Sequence, residues 1–313
     1  MMHIVRDYQF ANIGDIGAAV AIGNFDGVHL GHQAILDVVR EQAERLNCPM
    51  GVMTFEPHPR EYFAPNAPAF RLMGAEAKAH RLEKLGVTHL YQLNFNAALS
   101  GLTAHAFCQN VIHESLGLKH IVVGADFQFG KGREGNAEML RDMGAEMGFG
   151  TTILPLVSDE KGIFSSTAIR TALTEGRPED AAHMLGHWHR IDARVEHGDA
   201  RGRDLGYPTA NLSLDGLHLP KFGVYAVLVD VLEGPHKGKY KGAASIGDRP
   251  TFGMNIPNLE VFIFDFSGDI YDTEISVALV QFQRPELKFD SLDELIIQIK
   301  ADCVESHATL AKF

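Results

Sequence analysis

The chain has 313 residues, a formal charge of −12, 45% apolar residues and three cysteines, a length that suits about two domains of ~100 to 200 residues each. Acidic residues are spread along it and no run of lysine or arginine occurs, which excludes a broad nucleic-acid or anionic-membrane surface and leaves any anion to be held locally. Cys48, Cys108 and Cys303 are far apart and form no C-x-x-C pair, no apolar stretch approaches the ~18 residues of a membrane span, and "MMHIVRDYQF" lacks a signal-length apolar core, so a soluble cytoplasmic protein is expected.

Up to about residue 185 short apolar runs alternate with helical patterns: "AAVAI" then "AILDVVREQAERL", "MGVMTF" then a helix around 76–85, "HIVVGADF" then "AEMLRDMGAEMG". This alternation predicts an α/β, doubly wound parallel sheet. From about residue 190, "RIDARVEHG", "GVYAVLVDVLEG", "KGAASIG", "LEVFIFDFSGDIY" and "EISVALVQF" are short, rich in β-branched and aromatic residues, and separated by glycine-rich turns. They predict an antiparallel β-barrel or sandwich. A closing helix follows in "FDSLDELIIQIKADC", with Ser291 and Glu294 in capping-box spacing and an apolar stripe of Leu292, Leu295, Ile296 and Ile299. Gly176 and Pro178 stop a helix between the halves, giving domains 1–186 and 187–313.

The densest signal is "GNFDGVHLGH", residues 23–32. Ala18–Ile22 read as a strand, Gly23–Gly27 as a tight turn carrying Asn24, Phe25 and Asp26, and His29 onward as a helix burying Ile35, Leu36, Val38, Val39, Ala43 and Leu46. A strand-to-helix turn in a parallel sheet offers helix N–H groups and dipole to a phosphate. His29 and His32 are three apart and so share a helix face, while Gly31 lets a ligand approach the backbone. The spacing fits neither G-x-G-x-x-G nor a P-loop; a histidine metal site with Asp26 and two partly exposed histidines at a helix start are the alternatives. In "FSSTAIRTALTEG" Ser166 or Thr167 is expected at an N-cap with Arg170 one turn in, a plain cap or an anion site. "GADFQFGKGREGN" carries Asp126, Phe127 and Phe129 in a glycine-rich loop, suited to an aromatic or nucleotide ligand or simply a mobile surface loop.

In the second half, "GRDLGYPTANL" opens a strand on Pro208, and Thr209 and Asn211, two apart, offer a hydroxyl and an amide oxygen on one face, a donor set suited to Mg²⁺. An ordinary strand with a polar face is the alternative. In "LEVFIFDF" alternation places Glu260 on one face with Phe262, Phe264 and Phe266, a carboxylate at an aromatic edge that suits a general base, with an exposed strand-end glutamate as the alternative.

"GNFDGVHLGH" with "SSTAIR" resembles the nucleotidyltransferase superfamily, and together with "TFEPHPREYF" and "GADFQFGKG" the FAD synthetase module of bacterial bifunctional riboflavin kinase/FAD synthetases. The resemblance implies that His29 and His32 meet the ATP phosphates and that Ser166, Thr167 and Arg170 hold the β/γ end. It places Gly23, Asn24, Phe25, Asp26, Gly31 and Ser165 at the nucleotide, and Asp126, Phe127, Phe129, Pro57 and Pro59 towards the flavin. "GRDLGYPTANL", "GVYAV", "IGDRPTFG", "LEVFIFDFSGDIY" and "RPELKFDSLDEL" occur in the order found in riboflavin kinase. That likeness implies Gly206 and Pro208 at the nucleotide, Thr209 and Asn211 on Mg-ATP, and Glu260 as the base on the ribityl hydroxyl. Ser245, Phe262, Asp272 and Gln283 depart from the family pattern, where asparagine, histidine, glycine and an apolar-arginine pair are expected. The implied partners are riboflavin, FMN and ATP with Mg²⁺, and neither nucleic acid nor membrane; the oligomeric state is not readable. The alternative functions are a single-activity nucleotidyltransferase and a flavin-binding sensor or storage protein.

Overall fold

Six short strands form an all-parallel sheet in the order His3–Val5, His89–Asn94, Met50–Glu56, Ala19–Ile22, His120–Gly124, Gly150–Leu154. This computed structural model describes residues 2–160, 162–197, 206–251 and 254–313, with the side chains of 249–256 left aside. All four residues of Ala19–Ile22 are buried, as a strand covered by helices on both faces must be. It lies between Met50–Glu56 and His120–Gly124, where the strand order reverses, so the crevice beyond its C-terminal end is the position at which open α/β sheets take ligands. The helix Leu30–Leu46 follows, burying Leu36, Val39 and Ala43, while Ile35, Val38 and Leu46 are half-buried rather than fully inward. The helix expected around 76–85 spans Ala75–Lys84.

The second sheet is antiparallel, in the order Arg190–Arg194, Glu274–Arg284, Gly223–Val231, Gly238–Thr251, Met254–Ile263, Thr209–Ser213. A bridge between Glu196 and Asn211 brings its two ends together, nearly closing a barrel. Leu212, Tyr225, Val227, Val229, Ile246, Leu259, Val261, Val277 and Leu279 fill the interior. Outside, Ala226, Ala243, Phe264 and Val280 pack with Leu310.

The closing helix, Leu292–Leu310, begins as expected with Ser291 accepting from the Glu294 amide at 3.2 Å, though the Glu294 carboxylate reaches the Asp290 amide instead of completing the box. Its expected apolar stripe is not the docking face: Leu292 is 56% exposed, and Leu295, Ile296 and Ile299 are only half-buried. The helix turns Asp302, Ser306 and Leu310 inward, because the strand it meets presents Gln281, Gln283 and Arg284. Arg284 grips Asp302 through Nε at 2.8 Å and Nη2 at 2.6 Å, a two-pronged pair, and the Gln283 amide donates to Ser306 Oγ at 2.9 Å.

The chain divides into two compact units, Met1–Pro68 with Ala75–Phe164, and Ala69–Gly74 with Ser165–Phe313. The stretch from Ser165 to Gly186, which the sequence reading places in the first half, packs within the second unit: Leu72, Ile169, Ala172, Leu173, Ala181 and Leu185 form one cluster, and the Lys221 amide donates to Leu173 O at 2.9 Å.

Two expectations follow for the second unit. Asp302→Ala leaves the half-buried Arg284 guanidinium without its carboxylate and should lower stability by about 3 kcal/mol in chemical denaturation. His189 is 5% exposed, and its pKa is lowered from 6.5 to about 3 by burial first and by His187 and His218 second. Because the unfolded chain takes the proton below 6.5 and the folded one refuses it down to about 3, stability should fall as pH drops through that window. The slope approaches ~1.4 kcal/mol per pH unit, and His189→Leu should flatten it in unfolding curves recorded at successive pH values.

Candidate functional sites

The turn after Ile22 is built from residues in unusual backbone conformations. Phe25, Gly27 and Val28 have φ of 51°, 85° and 45°, and Phe25 and Val28 are 1% and 0% exposed, so burial holds a shape that a phenylalanine and a β-branched valine do not favour. His29 is not the first helical residue. It is extended and caps the helix, its Nδ1 accepting from the His32 amide at 3.3 Å. The two imidazoles are stacked 3.6 Å apart, with His32 also against Phe25 at 4.6 Å. A Cβ on Gly31 would meet His29 Nδ1 at 3.0 Å and Phe164 O at 3.3 Å, so a side chain there would crowd the His29 ring itself. Burial, then the charges of His29 and Lys78, pull the His32 pKa well below 6.5, so His32 is a neutral imidazole; its buried Nδ1 has no hydrogen-bond partner among the described residues.

Asp26 is buried, and the Asn24 carbonyl accepts from Thr54 Oγ1 at 3.2 Å and Lys78 Nζ at 3.3 Å. Thr54, Glu56 and Lys78 were not singled out from sequence. The available signal is Lys78 on the helix face of Ala79 and Leu82, where a lysine at 3% exposure is out of place. The histidine metal site entertained with Asp26 has a competitor elsewhere: ligand atoms of His3, Asp15 and His89 lie within 4.8 Å of one another, with the His89 ring nitrogens already against Gly14 O and Thr88 Oγ1 at 2.9 and 3.0 Å.

On the proposed flavin side, Pro57 follows a cis peptide bond and Pro59 starts the short helix Pro59–Phe63. Tyr62, Phe63 and Phe95 meet edge to face at 5.1–5.8 Å. Asp126 is exposed and Phe127 half-buried. Phe129 is instead a core residue, 8% exposed, packed on Phe107 at 5.8 Å and stacked with Phe127 at 5.4 Å. The loop reading is corrected accordingly: Gln128–Phe129 pairs with Gly135–Asn136 as a small hairpin.

In the second unit the cap of helix Ser166–Thr174 is Ser165, one residue earlier than expected, its Oγ accepting from the Ala168 amide at 3.1 Å. Ser166 and Thr167 occupy the first turn, half-buried and exposed. Arg170 Nε donates to Phe70 O at 2.6 Å and the guanidinium lies 5.1 Å from the Phe70 ring centre, so Phe70, also missed from sequence, sets the direction of that cation.

On the barrel, strand pairing sets Asn211 opposite Glu260 and Thr209 opposite Phe262. Ala210, Leu212, Leu259 and Val261 point into the interior, so Thr209, Asn211 and Glu260 share the outward face. Asn258 joins them, its Nδ2 donating to Asn211 Oδ1 and Glu260 Oε1 at 3.3 Å each. Only its spacing of two before Glu260 could have revealed it. Gly206, at φ 82°, and Pro208 lead into the strand, whereas Gly202–Leu205 of the motif lie outside the described residues. Phe262 stands edge-on to Tyr207 at 5.2 Å and Phe264 at 5.8 Å, but the strand ends at Ile263 and Phe266 leaves that face to pack on Tyr240 at 5.1 Å.

Each family departure has a physical setting. Ser245 lies directly across from Glu260 on the neighbouring strand, so it alters the carboxylate's surroundings. Asp272 has φ 58°, a left-handed conformation that explains a preference for glycine and that aspartate tolerates. Gln283 is spent on the closing helix.

Family comparison matches residues 13–168 to FAD synthetase and residues 185–310 to riboflavin kinase. A Haemophilus influenzae protein named bifunctional riboflavin kinase/FMN adenylyltransferase is 40% identical over 308 residues, covering 96% of this chain and 97% of that one. An Escherichia coli K12 protein of the same name is 40% identical over 286 residues, covering 91% and 90%. A Streptococcus pneumoniae crystal structure described as a macrolide-efflux protein superposes with a TM-score of 0.82 at 34% identity, covering 96% of this chain and 97% of that one. Among the described residues here, no helix is long and apolar enough to cross a membrane. With a motif-bearing turn at the sheet's switch point, a carboxylate beside neutral oxygen donors on a barrel, and this similarity over nearly its whole length, the chain belongs to the bifunctional riboflavin kinase/FMN adenylyltransferase family.

Proposed function

We propose that this bifunctional riboflavin kinase and FMN adenylyltransferase runs its two transfers at separate sites, riboflavin phosphorylation in 187–313 and FMN adenylylation in 1–186. The observation that carries the kinase assignment is the register that sets Glu260 opposite Asn211 with Asn258 between them. Glu260 takes the proton from the riboflavin 5′-hydroxyl as that oxygen attacks the γ-phosphorus of ATP, giving FMN and ADP. Asn258 holds the carboxylate in place, and Gly206, Pro208 and Tyr207 border the nucleotide. The Thr209 hydroxyl and the Asn211 amide oxygen, neutral donors on one face, fit Mg²⁺ that takes its other ligands from phosphates and water. When bound, the ion would supply charge neutralisation on the phosphates.

In adenylylation the FMN phosphate attacks the α-phosphorus of a second ATP, forming FAD and releasing pyrophosphate. The nucleophile is already an anion, so the site needs no strong base and has to stabilise charge on the α-phosphoryl and pyrophosphate groups. His29 and neutral His32 act there as hydrogen-bonding groups at a helix start, within the frame of Gly23, Asn24, Phe25, Asp26 and Gly31. The family pattern assigns the β/γ end to Ser165, Ser166, Thr167 and Arg170. Pro57, Pro59, Asp126 and Phe127 face the flavin, and Phe129 supports Phe127 from the core. The partners are riboflavin, FMN and ATP, with no nucleic acid or membrane, in a cytoplasmic setting.

Incubation with riboflavin, excess ATP and Mg²⁺, followed by chromatography of the flavins over time, tests both sites. Wild type should accumulate FMN and then FAD. Glu260→Gln should slow FMN formation by about 10² to 10⁴-fold while added FMN is still converted to FAD. His29→Ala and Arg170→Ala should abolish FAD formation and spare FMN formation. Loss of both activities from any one of these three substitutions in a folded protein would overturn the two-site reading.

A further inference from the structure

Lys78 is a cation in the wrong place for a surface helix. Its residue is 3% exposed, and its ammonium contacts Asn24 O at 3.3 Å, Thr54 Oγ1 at 3.3 Å and Glu56 Oε1 at 3.1 Å. An ammonium has three hydrogens, and these three acceptors use them all. We propose that Lys78 is a positioning residue for FMN adenylylation, clamping the nucleotide-side turn Gly23–Val28 to the strand end that leads into the flavin-side prolines. The proposal rests on the adenylylation reading given above.

The three acceptors explain why a lysine stands where an apolar residue would pack more cheaply. Asn24 O belongs to a turn whose next residue, Phe25, is in the left-handed region at φ 51°, and Thr54 Oγ1 and Lys78 Nζ are the donors that reach it from outside the turn. Glu56 is the last residue of strand Met50–Glu56 and is bonded to Pro57. One ammonium therefore ties together, across 54 positions of sequence, the turn that presents His29 and His32 and the stretch that presents Pro57 and Pro59. It does so without spare donors, so it holds the site rather than touching the reacting atoms.

Lys78 also bears on His32 electrostatically. His29 lies in the same turn as Asp26, Lys78 comes from the helix Ala75–Lys84, and Glu56 pairs with Lys78 from the strand. The positive charge of Lys78 adds to burial and to His29 in disfavouring the imidazolium, keeping His32 neutral.

Lys78→Met alone removes the cation from the half-buried Glu56 carboxylate, so its effect on stability and its effect on positioning would be mixed. The deciding variant is the double substitution Lys78→Met with Glu56→Gln, which removes both charges. It should recover most of the stability lost by Lys78→Met in thermal unfolding. FAD formation from added FMN should nonetheless stay depressed by about 10- to 100-fold, mainly in kcat, since an unclamped turn misplaces the groups around the α-phosphorus. In Lys78→Met alone the acid limb of the pH profile should move to higher pH, because the cation opposing protonation of His32 is gone while Glu56 keeps its charge. FMN formation from riboflavin, followed in the same protein, reports on the second unit. A double variant that makes FAD within twofold of wild type would reduce Lys78 to a counter-ion for Glu56 and overturn the proposal. Failure of the underlying reading looks different: wild type would make no FAD, or His29→Ala would still make it.

Discussion

The geometry of the first unit depends on a turn that its own residues do not favour. A valine at φ 45° and a phenylalanine at φ 51° each cost on the order of 1–3 kcal/mol. Full burial of each side chain returns about 1.5–3 kcal/mol, so the turn exists only because Phe25 and Val28 are core residues. That exchange delivers His29 in extended form at the head of Leu30–Leu46, where its ring caps the helix and stacks on His32. The two imidazoles are consequently fixed by buried packing at the crevice beyond the central strand.

The barrel reaches an equivalent end by another route. Its interior is filled by alternate residues, which forces Thr209, Asn211 and Glu260 onto the outside face together, and antiparallel pairing sets the carboxylate opposite the amide. A slip of one residue in Thr209–Ser213 would send Thr209 and Asn211 inward and leave Glu260 without the amide opposite it. Each unit also contains an ion pair with one buried member that fastens one element to another: Lys78 with Glu56 in the first, and Arg284 with Asp302 under the closing helix. Removing one partner of such a pair costs more than the pair itself adds, because the remaining charge stays half-buried.

Much of this was legible before any coordinate. The alternation of apolar runs with helical patterns, the change of rhythm near residue 190, the strand-turn-helix around "GNFDGVHLGH" and the common face of Thr209 and Asn211 all follow from side-chain periodicity, which is a property of local backbone geometry. The misreadings share a cause. Phe129, Phe266 and the stripe from Leu292 to Ile299 were assigned by composition or spacing, and each was redirected by what lay opposite: a core for Phe129, the end of a strand at Ile263 for Phe266, and a polar strand face for the helix.

The sequence by itself determined the two architectures, their order and the family resemblance, because these are written in patterns a few residues long. Tertiary structure decided which groups serve those motifs from a distance. Lys78 reaches Asn24 across 54 positions, Asn258 meets Asn211 across 47, and Phe70 meets Arg170 across 100. No local period encodes such meetings, because they are set by which strands pair and which helix faces turn inward once the cores have closed.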